Sequence, residues 1–392
     1  MKNKKRVIIL LMDSAGCGEA PDAAAFGDIG SNTLGHICQS YKNIQLPNLA
    51  ALGLGKIIDL CNVENVNEAT ANYGKMQEVS HGKDTTCGHW EIAGTPVLAP
   101  LPTYPNGFPE ALMQQFADAI GRGYLGNEVA SGTEIISRLG EEHIKTGNVI
   151  VYTSADSVFQ IAAHEEIVPL TELYEICQKA RKLLVGEHGV GRVIARPFVG
   201  EPGNFVRTSN RRDFSLLPPS GQIFEQVQKA GLPTVSVGKI HDIFAEVGID
   251  FSYPTTDNTD GMKKVLLALS EHETGLIWAN LVDFDMKYGH RNDWQGYGKA
   301  LEEMDSWLPQ LLAALKDDDL LIITADHGND PTTPSTDHSR EYVPLLVYGK
   351  KLKNNVDLGV RKTFADVGAT VAEYLECDRV PTGESFLAQI MK

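Results

Sequence analysis

Six residues of this chain have the types and spacings to hold divalent cations, and a seventh stands where an attacking oxygen would. Residues 320–349 read LLIITADHGNDPTTPSTDHSREYVPLLVYG, two apolar runs bracketing a loop that carries Asp326, His327, Asp330, Asp337 and His338. An adjacent Asp and His at a strand's carboxyl end can reach one cation from a single turn, and open α/β sheets place their ligands at that edge. Taken alone, the loop reads equally well as a polar turn with capping aspartates. Other strand ends supply matching residues. The run RVIILLM (6–12) delivers Asp13 into the glycine-bearing loop SAGCGEAPDA, which has neither the GxGxxG nor the GxxxxGK[ST] phosphate-loop spacing. The run GLIWANLVDFD delivers Asp283 and Asp285, and His290 follows five residues after Asp285, so one loop offers both an oxygen and a nitrogen ligand.

The nucleophile is sought in SHGKDTTCGHWEIAGTPV (80–97), polar at first and helix-like from Cys87 onward. Thr85 and Thr86 fall at or just before the first turn of that helix, where unpaired N–H groups and the positive dipole end favour a phosphate. On position alone a capping threonine is the simpler reading. Cys87 is a rival, but a thiolate matches hard oxygen and imidazole ligands poorly.

Three carboxylates and three imidazoles are too many for one cation and suit two. The expected arrangement puts Asp13, Asp326 and His327 on one metal and Asp285, His290 and His338 on the other, with Thr85 between them. Two divalent ions about 3.5–4 Å apart are the recurring clamp for in-line phosphoryl displacement. Their four positive charges against three carboxylates and one alkoxide leave a site able to accept a phosphate dianion. The metals also make the alkoxide feasible, since a threonine hydroxyl is a weak nucleophile at neutral pH. Asp330 and Asp337 are left as supporting or turn residues.

These residues need a scaffold. Strand-like runs alternate with amphipathic helices as in a doubly wound α/β sheet. LLIIT and VPLLVYG both read as buried strands of a parallel sheet. Short helices are expected at SNTLGHICQS and LPNLAALGL, and longer ones at GQIFEQVQKAG, 259–271, WQGYGKALEEMDSWLPQLLAAL and TFADVGATVAEYLE. Proline-rich LAPLPTYPNGFP and the pair in SLLPPS bound a segment with its own α/β pattern: helix EALMQQFADAIG, strand NVIVYTSA, helix TELYEICQKARKLLV and strand RVIARPF. The expected organisation is therefore a metal-binding catalytic core of 1–99 and 218–392 with an inserted domain at 100–217. The insert concentrates Arg192, Arg196, Arg207, Arg211 and Arg212. Guanidinium forks suit phosphate, and a solvated basic face is the equal alternative. Asp156, after NVIVYTSA, could bind sugar hydroxyls or cap a turn, and Lys239 follows the run LPTVSVG.

Composition narrows the partners. With 35 basic and 51 acidic residues the net charge of the 392-residue chain is -16, which disfavours nonspecific nucleic-acid or membrane binding and requires a local positive site for any anionic substrate. VIILLM is too short for a signal-peptide core, so a cytoplasmic protein is expected. The six cysteines form no CxxC pair and read as reduced thiols.

The motifs MDSAGCGEAPDA, GKDTTCGHWEIAG, DFDMKYGHRND and TADHGNDPTTPSTDHSREYVPLLVYG resemble those of the alkaline phosphatase superfamily and, within it, the pentose phosphate mutases. The resemblance spans the chain. It implies an alkaline-phosphatase-like core with an inserted α/β cap domain, two Mn2+ per chain, and interconversion of ribose (or deoxyribose) 1-phosphate and 5-phosphate. It makes Thr85 the phosphorylated residue and the six ligands above the metal ligands. Asp156, Arg196, Arg207, Arg211 and Lys239 fall where the family handles sugar and distal phosphate. Glucose 1,6-bisphosphate or ribose 1,5-bisphosphate is implied as activator, pentose phosphates as the only partners, and a monomer as the working form. Two rivals are a cofactor-independent phosphoglycerate mutase, which resembles a longer chain with a serine nucleophile, and a non-catalytic sugar-phosphate sensor, which would lack ligands.

Overall fold

The computed structural model describes residues 5–59, 66–154 and 157–392. They form two compact units, 1–99 with 218–392 and 100–217. In chain order the strands are β1 (Arg6–Met12), β2 (Asn72–Met76), β3 (Tyr124–Val129), β4 (Val149–Thr153), β5 (Val158–His164), β6 (Arg192–Val199), β7 (Val206–Arg207), β8 (Arg212–Ser215), β9 (Thr234–Val237), β10 (Phe251–Tyr253), β11 (Gly275–Leu281), β12 (Asp319–Thr324), β13 (Val343–Tyr348) and β14 (Asp357–Arg361).

In the first unit every residue of β1, β11 and β12 is buried. That is the signature of strands covered on both faces, and it explains why their sequences show no polar alternation. The sheet order is β10-β9-β11-β1-β12-β13-β2-β14. From β10 to β12 all neighbours are parallel. The register aligns the strand ends: Met12 lies opposite Leu281 and Leu11 opposite Thr324. Asp13, Asp285 and Asp326 therefore leave the sheet at one edge. β13 departs from expectation, pairing antiparallel with both β12 and β2. The chain returns from the 325–342 loop without a crossover helix, and a direct return can only reverse strand direction. Strands β2 and β14 were not expected. β2 (NYGKM) is short and polar, and β14 carries a register irregularity.

The helix expected from Cys87 onward begins at Thr85 and ends at Ile92. Its cap is Asp84, whose carboxylate accepts from Thr86 N (3.0 Å) and Cys87 N (3.2 Å). Thr85 is thus the first helical residue and not the cap, leaving its hydroxyl uncommitted to helix initiation.

The second unit carries a sheet in the order β3-β4-β5-β6-β7, with β8 on β6. Its layers follow from strand alternation: Val149 and Val151 pack with the helices Glu110–Ile120 and Leu170–Leu183, while Ile150 and Tyr152 pack with the helix Gly132–Thr146. That last helix and strands β3 and β5 went unread. Cys17, Cys87, Cys177 and Cys377 are free thiols, and Cys61 lies outside the described residues. Among the described residues no helix is long and apolar enough to cross a membrane.

Candidate metal centre

Parallel register and two loops bring the six expected ligands together. Asp13, Asp326 and His327 form one group and Asp285, His327 and His338 another, the ligand atoms of each group lying within 4.8 Å of one another. His327 Nε2 stands 3.5 Å from Asp13 Oδ1 and 3.3 Å from Asp326 Oδ2. His338 Nε2 is 3.6 Å from Asp285 Oδ1, and His290 Nε2 is 3.2 Å from Asp285 Oδ2. The His327 and His338 ring centroids are 4.0 Å apart, so His327 borders both groups. Thr85 Oγ1 lies 3.1 Å from His327 Nε2.

Two of the imidazoles are oriented by carbonyls, which can only accept. His290 Nδ1 donates to Thr336 O (2.6 Å) and His327 Nδ1 to Gly328 O (3.0 Å), so in each ring Nε2 is the nitrogen left facing the carboxylates. The carboxylates are held from behind. Asn280 Nδ2 donates to Asp13 Oδ2 (2.9 Å), Ser14 N to Asp326 Oδ1 (3.1 Å) and Asn329 Nδ2 to Asp285 Oδ1 (2.9 Å). Ser14 does so from φ 69°, a left-handed conformation costly for a residue with a Cβ. Asp13 Oδ1, Asp326 Oδ2 and His338 Nε2 are buried without a hydrogen-bond partner. Burying lone pairs unmatched is expensive, and cations are what these three atoms fit. A mixed carboxylate and imidazole set suits Mn2+, Fe2+ or Zn2+.

The electrostatics agree. Burial pushes Asp13 well above the ordinary carboxylate range, reinforced by the charges of Asp326 and Asp285. Burial would also raise Asp285, but the imidazoles of His290, His338 and His327 around it outweigh that and hold it low. For His327, burial depresses the imidazolium form. His290 is raised, chiefly by its hydrogen bond to Asp285. Burial drives Cys87 far up, so the neighbouring thiol is no thiolate.

Asp330 and Asp337 are loop residues. Buried Asp330 accepts from His36 Nδ1 (2.6 Å) and Asn32 N (3.0 Å), while exposed Asp337 sits 3.5 Å from Lys83. Asp283 accepts from Asn258 N and Lys287. Lys239 follows β9, and its charge acts on Asp13. In the second unit Arg196, Arg207 and Arg211 line a cavity of about 360 Å³ with Thr208 and Ser209. Arg196 donates to Gln160 (3.1 Å), and Arg211 is partly neutralised by two 2.7 Å bonds to Asp213. Asp156 lies outside the described residues. Sequence reading passed over Ser14, Asn280, Asn329 and His89. Only His89 left a signal, a histidine one helical turn after Thr85.

Comparison with known proteins agrees with this geometry. The metalloenzyme superfamily matches residues 5–379. The phosphopentomutase of Caldanaerobacter subterraneus subsp. tengcongensis is 58% identical over 386 residues, 98% of each chain, and that of Acetivibrio thermocellus 56% identical over 387 residues, 99% of this chain and all of that one. Among solved structures, phosphoglycerate mutase of Leishmania mexicana shares the fold at a TM-score of 0.50 and 15% identity, covering 98% of both chains. With candidate ligands following β1, β11 and β12 gathered at one sheet edge and identity above half over nearly the whole length, the chain belongs to the metalloenzyme superfamily and, within it, to the phosphopentomutase family.

Proposed function

We propose that this chain is an isomerase that interconverts ribose (or deoxyribose) 1-phosphate and 5-phosphate, working through phosphorylated Thr85 and a bound 1,5-bisphosphate. The observation that carries the reading is Thr85 Oγ1 at the first turn of a helix, 3.1 Å from an imidazole common to both ligand groups. Full-length identity to phosphopentomutases supplies the substrate class.

Asp13, Asp326 and His327 would hold one cation and Asp285, His290 and His338 the other; we assign two Mn2+. When bound, the pair supplies Lewis acidity to a phosphoryl group and favours threonine as alkoxide. In the forward half, the bond from Thr85 Oγ1 to phosphorus breaks as the free hydroxyl of the pentose monophosphate bonds to phosphorus, its proton passing in the net step to the departing Thr85 Oγ1. The resulting bisphosphate turns, and its other phosphoryl returns to Thr85 Oγ1, releasing the isomeric monophosphate. The positive dipole end of the 85–92 helix, whose Thr86 and Cys87 N–H groups already bond Asp84, would favour the transferring group's charge. Arg196, Arg207 and Arg211, with Asp156 and Lys239, are assigned to the sugar and to the phosphate not being transferred. Because the resting enzyme must begin phosphorylated, a bisphosphate such as glucose 1,6-bisphosphate or ribose 1,5-bisphosphate would prime it.

A phosphorus NMR time course tests this, with manganese-loaded, bisphosphate-primed protein and ribose 1-phosphate in one tube. Ribose 5-phosphate without matching free phosphate supports the mutase. Free phosphate as the main product makes the chain a phosphatase and overturns the reading.

A further inference from the structure

His89 is fully buried, makes two contacts with the centre, and is used by neither ligand group. It lies one helical turn after Thr85 in the 85–92 helix, and its Nδ1 is 2.8 Å from the carbonyl oxygen of Thr85. A carbonyl only accepts, so Nδ1 carries the proton and Nε2 the lone pair. The same Nδ1 is 3.1 Å from Asp326 Oδ2. Its proton points at the carbonyl, so Asp326 Oδ2 keeps its lone pairs while feeling the positive edge of the ring.

The ring cannot readily turn away. It stacks on Trp278 with centroids 5.8 Å apart and planes 15° apart, and Trp278 is backed by Phe224 at 5.4 Å and Phe244 at 5.3 Å. One residue earlier, a Cβ on Gly88 would fall 2.1 Å from the carbonyl oxygen of Asp326, so this turn of the helix rests directly on the chain leaving β12. Here the nucleophile's helix is joined to the ligand-bearing strand end twice, by backbone contact at Gly88 and by the imidazole at His89.

We propose that His89 is a positioning residue: its Nδ1–H ties the Thr85 turn to a ring held between Trp278 and Asp326, setting the nucleophile relative to the metal-binding carboxylate. This rests on the assignment of Thr85 as nucleophile and Asp326 as ligand. Reacting atoms must be held to a fraction of an ångström, and a displacement of about 1 Å costs on the order of a hundredfold in rate.

Two substitutions separate hydrogen bonding from packing. His89→Asn keeps an N–H at the Nδ1 position and loses the ring, whereas His89→Phe keeps a ring against Trp278 and loses the donor. Positioning predicts that His89→Phe lowers kcat on the order of a hundredfold with KM for ribose 1-phosphate little changed, and that His89→Asn restores most of it. Wild-type kcat in His89→Phe, or equal losses in both variants, overturns the proposal. Nitrogen NMR of histidine-labelled wild-type protein provides a readout independent of variant folding. The Nδ1–H tautomer at His89 supports the proposal and the Nε2–H tautomer overturns it. Mass spectrometry of the Thr85 peptide from primed wild-type protein judges the nucleophile assignment separately: phosphate on Thr85 leaves only the His89 step at stake, and its absence during turnover removes the foundation of both.

Discussion

His327 Nε2 lies 3.1 Å from Thr85 Oγ1 and within 3.5 Å of carboxylate oxygens of both Asp13 and Asp326. One imidazole thus borders the proposed nucleophile and two proposed ligands, and its own Nδ1 is tied to Gly328 O. The hydroxyl projects from the first turn of a helix whose cap is Asp84, so it has no helix-capping duty to lose.

Thr85→Ala should therefore remove turnover without removing the metals. Loss of the nucleophile is expected to cost at least about a thousandfold in kcat, while Mn2+ content stays at the wild-type level. Thr85→Ser keeps an oxygen at the same position and should retain measurable activity. Steady-state assay and metal analysis of the same preparations check both statements, and near-normal turnover in Thr85→Ala would move the nucleophile to Thr86.

His338 touches only one carboxylate among the ligands, Asp285 Oδ1 at 3.6 Å, and its Nε2 has no hydrogen-bond partner. Removing it takes one donor from the Asp285 group and none from Asp13, Asp326 and His327. His338→Ala should weaken one metal site on the order of 10- to 100-fold or more, by analogy with the cost of losing supporting groups around a metal. Purified variant should retain about half the wild-type manganese, and full retention would remove His338 from the ligand set.

Proton competition sets the pH dependence of metal binding. In the metal-free chain, burial and the charges of Asp326 and Asp285 raise Asp13 above its ordinary range. A folded pKa above the unfolded one means stability present at low pH and lost as pH rises through the folded value, because Asp13 must ionise beside two carboxylates. Bound cations reverse that penalty, and raised His290 must also shed its proton before ligating. The Tm gain on adding Mn2+ should accordingly grow as pH rises through the titration of Asp13 and His290. Calorimetry with and without manganese measures it, and a pH-independent gain would contradict the electrostatic picture.

What the sequence displayed was the part governed by local rules. β1, β11 and β12 are dominated by apolar residues, and Asp13, Asp285 and Asp326 all follow close behind their carboxyl ends, so a parallel sheet brings them to one edge. The antiparallel direction of β13 was hidden because a buried strand looks the same either way. Strand β3 (YLGNEV) escaped notice because Gly126 and Asn127 adopt positive φ and break the alternation, and β5 because Gln160 interrupts its apolar run. Asn280 and Asn329 could not be picked out, since a buried amide behind a carboxylate has no spacing rule. The pairing of Arg6 with Asp319, 313 residues apart, was equally invisible.

That pair offers a stability test remote from the chemistry. Arg6 is fully buried inside an otherwise apolar strand and donates to Asp319 Oδ1 (3.1 Å) and Oδ2 (2.5 Å), and to the carbonyls of Leu269 and His272 (both 2.6 Å). Every guanidinium nitrogen is satisfied, and the carbonyls it holds end the helix Asn258–Glu271, where a cation also complements the helix dipole. Arg6→Met fills the space but leaves the Asp319 carboxylate buried and unpaired, which should cost about 3–5 kcal/mol. Adding Asp319→Leu removes the stranded charge, so the double variant should recover part of the loss, with the freed carbonyls of Leu269 and His272 accounting for the remainder. Urea unfolding of the wild type, both single variants and the double variant closes the cycle. Strict additivity would mean that the pair contributes no coupling energy and that Arg6 acts only through the helix end.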